Sequence, residues 1–247
     1  MIVTIDVGNS RIKWAAWRLE QIIARGAAVY VDRRLATVFD QLFADLETVC
    51  QQAPSQVFAV CVADDKVRQA LDEWLEQNWQ LPVRYLKVQK RYKGITHAYA
   101  DPSQHGADRW AALVAGQQKY PGLNICVISA GTAITFDFVS KESRHLGGYI
   151  LPSYLTMHKA LTADTANVIS SIEVQFDNTC QYNNTRLPDN TNDAVNIGLH
   201  RLLQAGIREI CNTLDDDPVL VLITGGFAET ILSYPAMPAM QHEPDLV

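Results

Sequence analysis

Two short stretches set an oxygen-bearing side chain, a glycine and further polar side chains at matched spacing: Asp6-Val7-Gly8-Asn9-Ser10 and Ser129-Ala130-Gly131-Thr132-Ala133. Each follows an apolar run and precedes an alternating one. A strand that stops at a glycine-hydroxyl turn and doubles back offers backbone N–H groups and a side-chain hydroxyl to an anion. Glycine suits such a turn because a Cβ would hold a phosphate away from the backbone. A carboxylate beside phosphates is a natural Mg²⁺ ligand, since hard cations take oxygen donors, and Asp6 stands in that place. A turn aspartate bonded to its own backbone is the competing local explanation. Two such hairpins, one per half, predict a duplicated fold gripping one polyphosphate.

A second candidate is Gly106-Ala107-Asp108-Arg109-Trp110, at the start of an apparent helix. An Asp-Arg pair there caps and charges a helix. In a catalytic setting Asp108 orients a substrate hydroxyl and accepts its proton late in transfer, while Arg109 holds a polar or anionic group. Gly147-Gly148 is expected just before a helix, where paired glycines let the backbone approach a ligand. Thr224-Gly225-Gly226 closes an apolar strand, as turns that floor a nucleotide do, although a plain strand-to-helix turn has the same sequence. The six histidines form no metal-binding pattern, and no metal is assigned to them.

The elements that must carry these residues follow from periodicity. In the first half, residues 2–17 are expected to run as an apolar strand ending at Asp6, a turn and an alternating strand, with a third strand at 22–31. Leu35, Val38, Phe39, Leu42, Phe43, Leu46 and Val49 mark a helix. A strand at 57–62, a helix through Val67, Leu71 and Leu75, and a strand at 83–88 complete that half. The second half has strands at 124–129, 133–139 and 145–151, then a helix near 153–163. Residues 164–190 are polar and read as loops and short elements. Asn190 is the expected N-cap of a long helix whose apolar face runs from Val195 to Leu214. Asp215–Pro218 reads as a turn, 219–223 as a buried strand, and the tail 234–245 as peripheral. The expected division is 1–118 and 119–247, at Lys119-Tyr120-Pro121-Gly122.

Composition excludes several classes. The chain has 247 residues, 48% of them hydrophobic, enough for two modest domains. Net charge is -6 with no basic cluster, which argues against a nucleic-acid surface. The five scattered cysteines contain no CxxC and read as reduced thiols of a cytoplasmic protein. No apolar run nears the ~20 residues of a membrane span, and Asp6 interrupts any signal-peptide core.

Asp6-x-Gly8-Asn9-Ser10, Gly106-Ala107-Asp108-Arg109, Gly131-Thr132-Ala133-x-Thr135-x-Asp137, Gly147-Gly148-x-Ile150-x-Pro152 and Thr224-Gly225-Gly226 occur in one order. That series resembles the type III pantothenate kinases, the Bvg accessory factor-like family, over nearly the whole chain. The resemblance implies an α/β, duplicated actin-like ATPase (ribonuclease H-like) fold, with two mixed five-stranded sheets and ATP in an interdomain cleft. It implies ATP-dependent phosphorylation of pantothenate, the first step of coenzyme A synthesis. On this likeness Asp108 is the base, and Tyr99, Gly106, Arg109 and Thr191 bind pantothenate, Thr191 from the neighbouring copy of a homodimer. ATP falls to Asp6, Gly8, Asn9, Ser10, Lys13, Gly131, Thr132, Ala133, Gly225 and Gly226. Mg²⁺ falls to Asp6, and a monovalent cation, K⁺ or NH₄⁺, to position 129.

Three positions depart from the family pattern. Ser129 replaces an aspartate that serves the monovalent cation, Ser153 replaces a glycine, and the chain ends at Asp245-Leu246-Val247 rather than in a Gly-Leu extension. Two alternatives therefore stand beside the kinase: a catalytically weakened accessory protein that binds nucleotide or pantothenate, and a kinase of another small alcohol.

Overall fold

The computed structural model describes residues 1–50, 53–163, 187–213 and 218–246. The chain forms two compact units, Met1–Gln89 with Asp101–Ala111, and Lys90–Ala100 with Ala112–Leu246.

In the first unit, β1 (Ile2–Val7), β2 (Arg11–Arg18) and β3 (Gln21–Val29) form an antiparallel meander. Helix α1 (Leu35–Cys50) leads to β4 (Gln56–Cys61), which pairs parallel with β1; α2 (Asp65–Trp79) leads to β5 (Val83–Tyr85), parallel with β4. The sheet order is β3-β2-β1-β4-β5. Val3, Ile5 and Val7 alternate into the core with Ile12, Trp14 and Ala16 of the neighbouring strand, as a half-covered sheet requires. Val38, Phe39, Leu42, Phe43 and Leu46, at helical spacing, fill the same core. The Trp14 indole N–H donates to the Leu42 carbonyl at 2.8 Å and ties helix to sheet. Asp64 caps α2 by accepting the Val67 N–H at 3.0 Å.

The short antiparallel strands β6 (Arg91–Tyr92) and β7 (Ile95–Thr96) belong to the second unit, and a 3-10 turn at Pro102–Gln104 to the first. Helix α3 (Ala107–Lys119) follows, its start, to Ala111, falling in the first unit.

The second unit continues with β8 (Asn124–Ala130), β9 (Ala133–Val139) and β10 (His145–Pro152), then α4 (Tyr154–Ala163), α5 (Thr191–Cys211), β11 (Val219–Thr224), α6 (Ala228–Leu232) and β12 (Met240–His242). The order is β10-β9-β8-β11-β12, with β8–β9 and β9–β10 antiparallel and β11 parallel to both β8 and β12. Strand for strand this repeats the first sheet. The central strand β8 is buried on nearly every residue, as a strand covered on both faces should be.

The strands and helices predicted for both halves are present, with ends shifted by a few residues. Asn190 caps α5 as expected, accepting the Asp193 N–H at 2.9 Å. Three expectations change. The β6–β7 hairpin was not foreseen. The tail is not peripheral: β12 extends the sheet, and Lys119 and Tyr120 grip Glu243 at 2.6 Å each. Gly147 and Gly148 lie inside β10 rather than ahead of a helix. The expectations for 164–186 and 214–217 lie outside the described residues.

Candidate active site

The candidate residues fall into two sets. Asp6, Gly8, Asn9, Ser10, Lys13, Gly106, Asp108 and Arg109 lie in the first unit. Tyr99, Ser129, Gly131, Thr132, Ala133, Thr191, Gly225 and Gly226 lie in the second.

In the first unit the β1–β2 register places Asp6 opposite Lys13, with Nζ 3.4 Å from Oδ2. The Asp6 side chain is only 16% exposed. Its carboxyl is raised above the ordinary 3.8, chiefly by burial; Lys13 opposes the shift and the negative charge of Asp108 adds to it. Asp6 and Asp108 thus share one electrostatic environment although 102 positions separate them (108 − 6). A desolvated, incompletely compensated carboxylate is a fitting oxygen donor for a divalent cation.

Asp108 stands in the first turn of α3, its Oδ1 accepting the Arg109 N–H at 2.8 Å. A Cβ on Gly106 would come within 2.6 Å of that oxygen, so glycine leaves room for the carboxylate. Arg109 is buried. The β1–β2 turn is braced from both sides: the Gly8 N–H donates to the Arg11 carbonyl at 3.0 Å, and the Tyr30 hydroxyl donates to the Gly8 carbonyl at 2.7 Å. Asn9, at its tip, is exposed.

The matching turn in the second unit closes the same way, the Gly131 N–H donating to the Ala133 carbonyl at 2.9 Å. A Cβ on Gly8 or Gly131 would meet only ordinary contacts, at 3.4 and 3.8 Å. The fold itself therefore does not demand glycine at these two places, whereas close approach of a ligand would. Gly225 is different. It has φ +99°, and its Cβ would sit 2.3 Å from the Ala130 carbonyl. The Phe227 N–H donates to that carbonyl at 3.0 Å, which holds the Thr224–Gly226 turn beside the Gly131 turn.

Ser129 has Thr135 of β9 on one side and Thr224 of β11 on the other, in register. Directly paired residues project from the same face, so three hydroxyl side chains form a row. The Thr135 hydroxyl is buried with no hydrogen-bond partner among the described residues. Ser153 is also accounted for. Its hydroxyl accepts the Thr156 N–H at 3.3 Å and caps α4, while the Thr156 hydroxyl donates to the Thr132 carbonyl at 2.8 Å. The serine caps the helix, and Thr156 ties that helix to the turn.

Gly148 makes room for the protein rather than for a ligand: its Cβ would lie 1.8 Å from the Phe136 carbonyl and 2.9 Å from Asp137 Oδ1. That carboxylate faces His145 Nε2 at 3.5 Å, both side chains buried. The sequence reading assigned no role to this pair; only the β9–β10 pairing brings it together. Tyr99, half-buried, has its ring 5.8 Å from that of His145. Thr191 is exposed on the first turn of α5.

Solved structures share this architecture. A putative Baf family transcriptional activator from Campylobacter jejuni matches at TM-score 0.55 and 19% identity, covering 99% of this chain and 92% of that one. Component A of (R)-2-hydroxyglutaryl-CoA dehydratase from Acidaminococcus fermentans matches at TM-score 0.57 and 12% identity, covering 99% and 92%. The fold is the two-domain actin-like α/β class, with two mixed five-stranded sheets.

Sequence comparison narrows that class. The family model for type III pantothenate kinase matches residues 2–213. A type III pantothenate kinase of Nitrosococcus oceani is 32% identical over 100% of this chain and 91% of its own length. That of Methylibium petroleiphilum is 31% identical over 91% and 87%. The chain belongs to the type III pantothenate kinase family.

Proposed function

We propose that this protein transfers the γ-phosphoryl group of ATP to the primary hydroxyl of pantothenate, giving 4'-phosphopantothenate at the entry to coenzyme A synthesis. Family membership over residues 2–213 supports the reaction. The observation that supports the site is the largely buried Asp6 carboxylate, 3.4 Å from Lys13 and close enough to Asp108 to feel its charge.

The chemistry follows from those residues. Asp108 accepts a hydrogen bond from the pantothenate hydroxyl and orients its oxygen toward phosphorus. The new O–P bond forms as the bond from γ-phosphorus to the β,γ-bridging oxygen breaks; ADP leaves, and Asp108 takes the hydroxyl proton late. Asp6 is the ligand for Mg²⁺, which when bound neutralises charge on the phosphate oxygens. Gly8–Ser10 and Gly131–Ala133 are the phosphate-facing turns, with Lys13 a further cation for the nucleotide and the Gly225–Gly226 turn its floor. Tyr99, Gly106, Arg109 and Thr191 hold pantothenate.

The row Thr135–Ser129–Thr224 supports a monovalent cation, K⁺ or NH₄⁺, at Ser129. Neutral hydroxyl oxygens suit a singly charged ion, and the Thr135 hydroxyl, buried and without a hydrogen-bond partner among the described residues, offers an additional ligand oxygen. A homodimer follows from the family likeness, which gives Thr191, exposed on the first turn of α5, to the neighbouring copy's pantothenate site. A cytoplasmic location accords with free Cys50, Cys61, Cys126 and Cys211.

A coupled assay with ATP, pantothenate, Mg²⁺ and K⁺ tests the reaction. ADP release that depends on pantothenate is expected. No turnover across wide ranges of ATP and K⁺ would overturn it.

A further inference from the structure

Tyr99 sits on a stretch with little regular structure of its own. Residues Lys90–Ala100 belong to the second unit and are secured there at several points. The Thr96 N–H donates to the Ser143 carbonyl at 3.0 Å, and Gln118 Nε2 donates to the Lys93 carbonyl at 3.3 Å. Lys90 Nζ donates to the Tyr99 carbonyl at 2.7 Å.

A buried side-chain chain lies beneath these backbone ties. Asp137, at the middle of β9, directs Oδ1 at His145 Nε2 across 3.5 Å. Gly148, paired with Asp137 on β10, leaves the space the carboxylate occupies. The bulge between His145 and Gly147 shifts the β10 register and sets where His145 enters. His145 Nδ1 accepts the Ala98 N–H at 3.4 Å. The His145 ring stands 4.7 Å from His97, at 69°, and 5.8 Å from Tyr99. His97 Nδ1 in turn accepts the Tyr99 N–H at 3.0 Å.

The proton positions follow. A nitrogen that accepts a backbone N–H carries no proton, so in both neutral rings the proton sits on Nε2. In His145 that N–H faces the Asp137 carboxylate, which favours this tautomer. Reversing the tautomer would set an N–H of His145 against the N–H of Ala98. The carboxylate therefore keeps His145 a hydrogen-bond acceptor.

We propose that Asp137 and His145 are positioning residues for pantothenate: through His145, Ala98 and His97 they seat the Tyr99 ring for the substrate. This rests on the pantothenate kinase reading. Neither residue touches the reacting atoms, and their effect falls on substrate binding rather than on transfer.

Two measurements separate the inference from the reading beneath it. Steady-state kinetics compare wild type with Asp137→Ala, His145→Ala and His145→Asn. The two alanine variants are expected to raise KM for pantothenate about tenfold, the size of effect typical when an outer supporting partner is lost. KM for ATP and kcat are expected to stay within about threefold, roughly the 0.6 kcal/mol of ordinary remote effects. His145→Asn, whose amide oxygen can accept the Ala98 N–H, is expected to recover most of the loss. Hydrogen–deuterium exchange across 95–100, which needs no turnover, is expected to speed up in both alanine variants and to return toward wild type in His145→Asn. Unchanged exchange in all three variants would overturn the inference. So would equal rises of both KM values, or failure of His145→Asn to rescue. If wild type fails to turn over pantothenate, the kinase reading falls, and the exchange data then judge the seating of Tyr99 alone.

Discussion

The two glycine turns share a backbone plan and differ in charge. At the end of β1, Asp6 faces Lys13 across the hairpin; at the end of β8, Ser129 faces Thr135. The first turn is a carboxylate opposite an ammonium, the second a hydroxyl opposite a hydroxyl. One scaffold occurs twice, and the residue two places before each glycine sets the charge of its turn: the proposed divalent cation falls at the charged end, the proposed singly charged ion at the neutral one. The glycines at these turns are not demanded by local packing, whereas Gly148 and Gly225 are.

The largest effect should come from the charged side. Asp108→Asn is expected to lower kcat by roughly 10²–10⁴, the usual range for a general base, with KM for ATP nearly unchanged. Equal turnover would remove Asp108 from the reaction. Asp6→Asn is expected to cost on the order of 10² in kcat, the loss expected when the charged ligand of a phosphate-neutralising cation is removed.

The same Asp6 substitution should stabilise the fold. The Asp6 carboxyl is raised above 3.8, mainly by burial. Between the unfolded and folded values the folded chain binds the extra proton, so the contribution of this group to stability is greatest below 3.8 and is lost as pH rises through the folded value. Calorimetry at neutral pH should show Asp6→Asn melting a few degrees higher than wild type, the gap closing below the unfolded value. A gap that widened in acid would refute this assignment.

Ser129→Asp makes the second turn resemble the first. The K⁺ concentration for half-maximal activity should fall about tenfold, since even a strongly screened unit charge near ~4 Å contributes more than 1 kcal/mol. No shift would place the cation elsewhere. The smallest effect on turnover should come from the glycines. Gly131→Ala is expected to raise KM for ATP with little change in Tm. Gly225→Ala is expected to lower Tm by several degrees, since overpacking costs about 1–3 kcal/mol. If Gly131→Ala lost as much Tm as Gly225→Ala, the contrast between ligand-facing and fold-imposed glycines would fail.

Much of this was legible from local pattern. Alternation in β1 and β2 and helical spacing from Leu35 through Leu46 each reflect one side of an element meeting a core. What escaped depends on distant partners. β12 carries Met240–His242, no strand signal by itself; it pairs because β11 offers an edge and the Glu243 N–H reaches the Ile223 carbonyl at 2.8 Å. The β6–β7 hairpin is too short for alternation, although Lys93-Gly94, with both φ angles positive, is the turn signal that marked it. Gly148 was visible as a glycine, but its reason lies in the Phe136 carbonyl and the Asp137 carboxylate. The candidate site was readable where chemistry and turn coincide, at Asp6–Ser10, whereas the buried contacts among Asp137, His145 and His97 join residues too far apart for local pattern to reveal.

Connections between antiparallel strands are ordinarily where a chain accepts added or deleted residues. The β9–β10 connection is a poor place for such drift. Its Ser143 carbonyl carries Thr96, and its Ser140 N–H is bonded to the Arg144 carbonyl at 2.8 Å. A one-residue insertion there would displace the far-off stretch bearing Tyr99 without altering any residue of that stretch. Length variation across relatives should therefore be rare between Ser140 and Arg144 and commoner around Gly122, where a side chain would meet only open space.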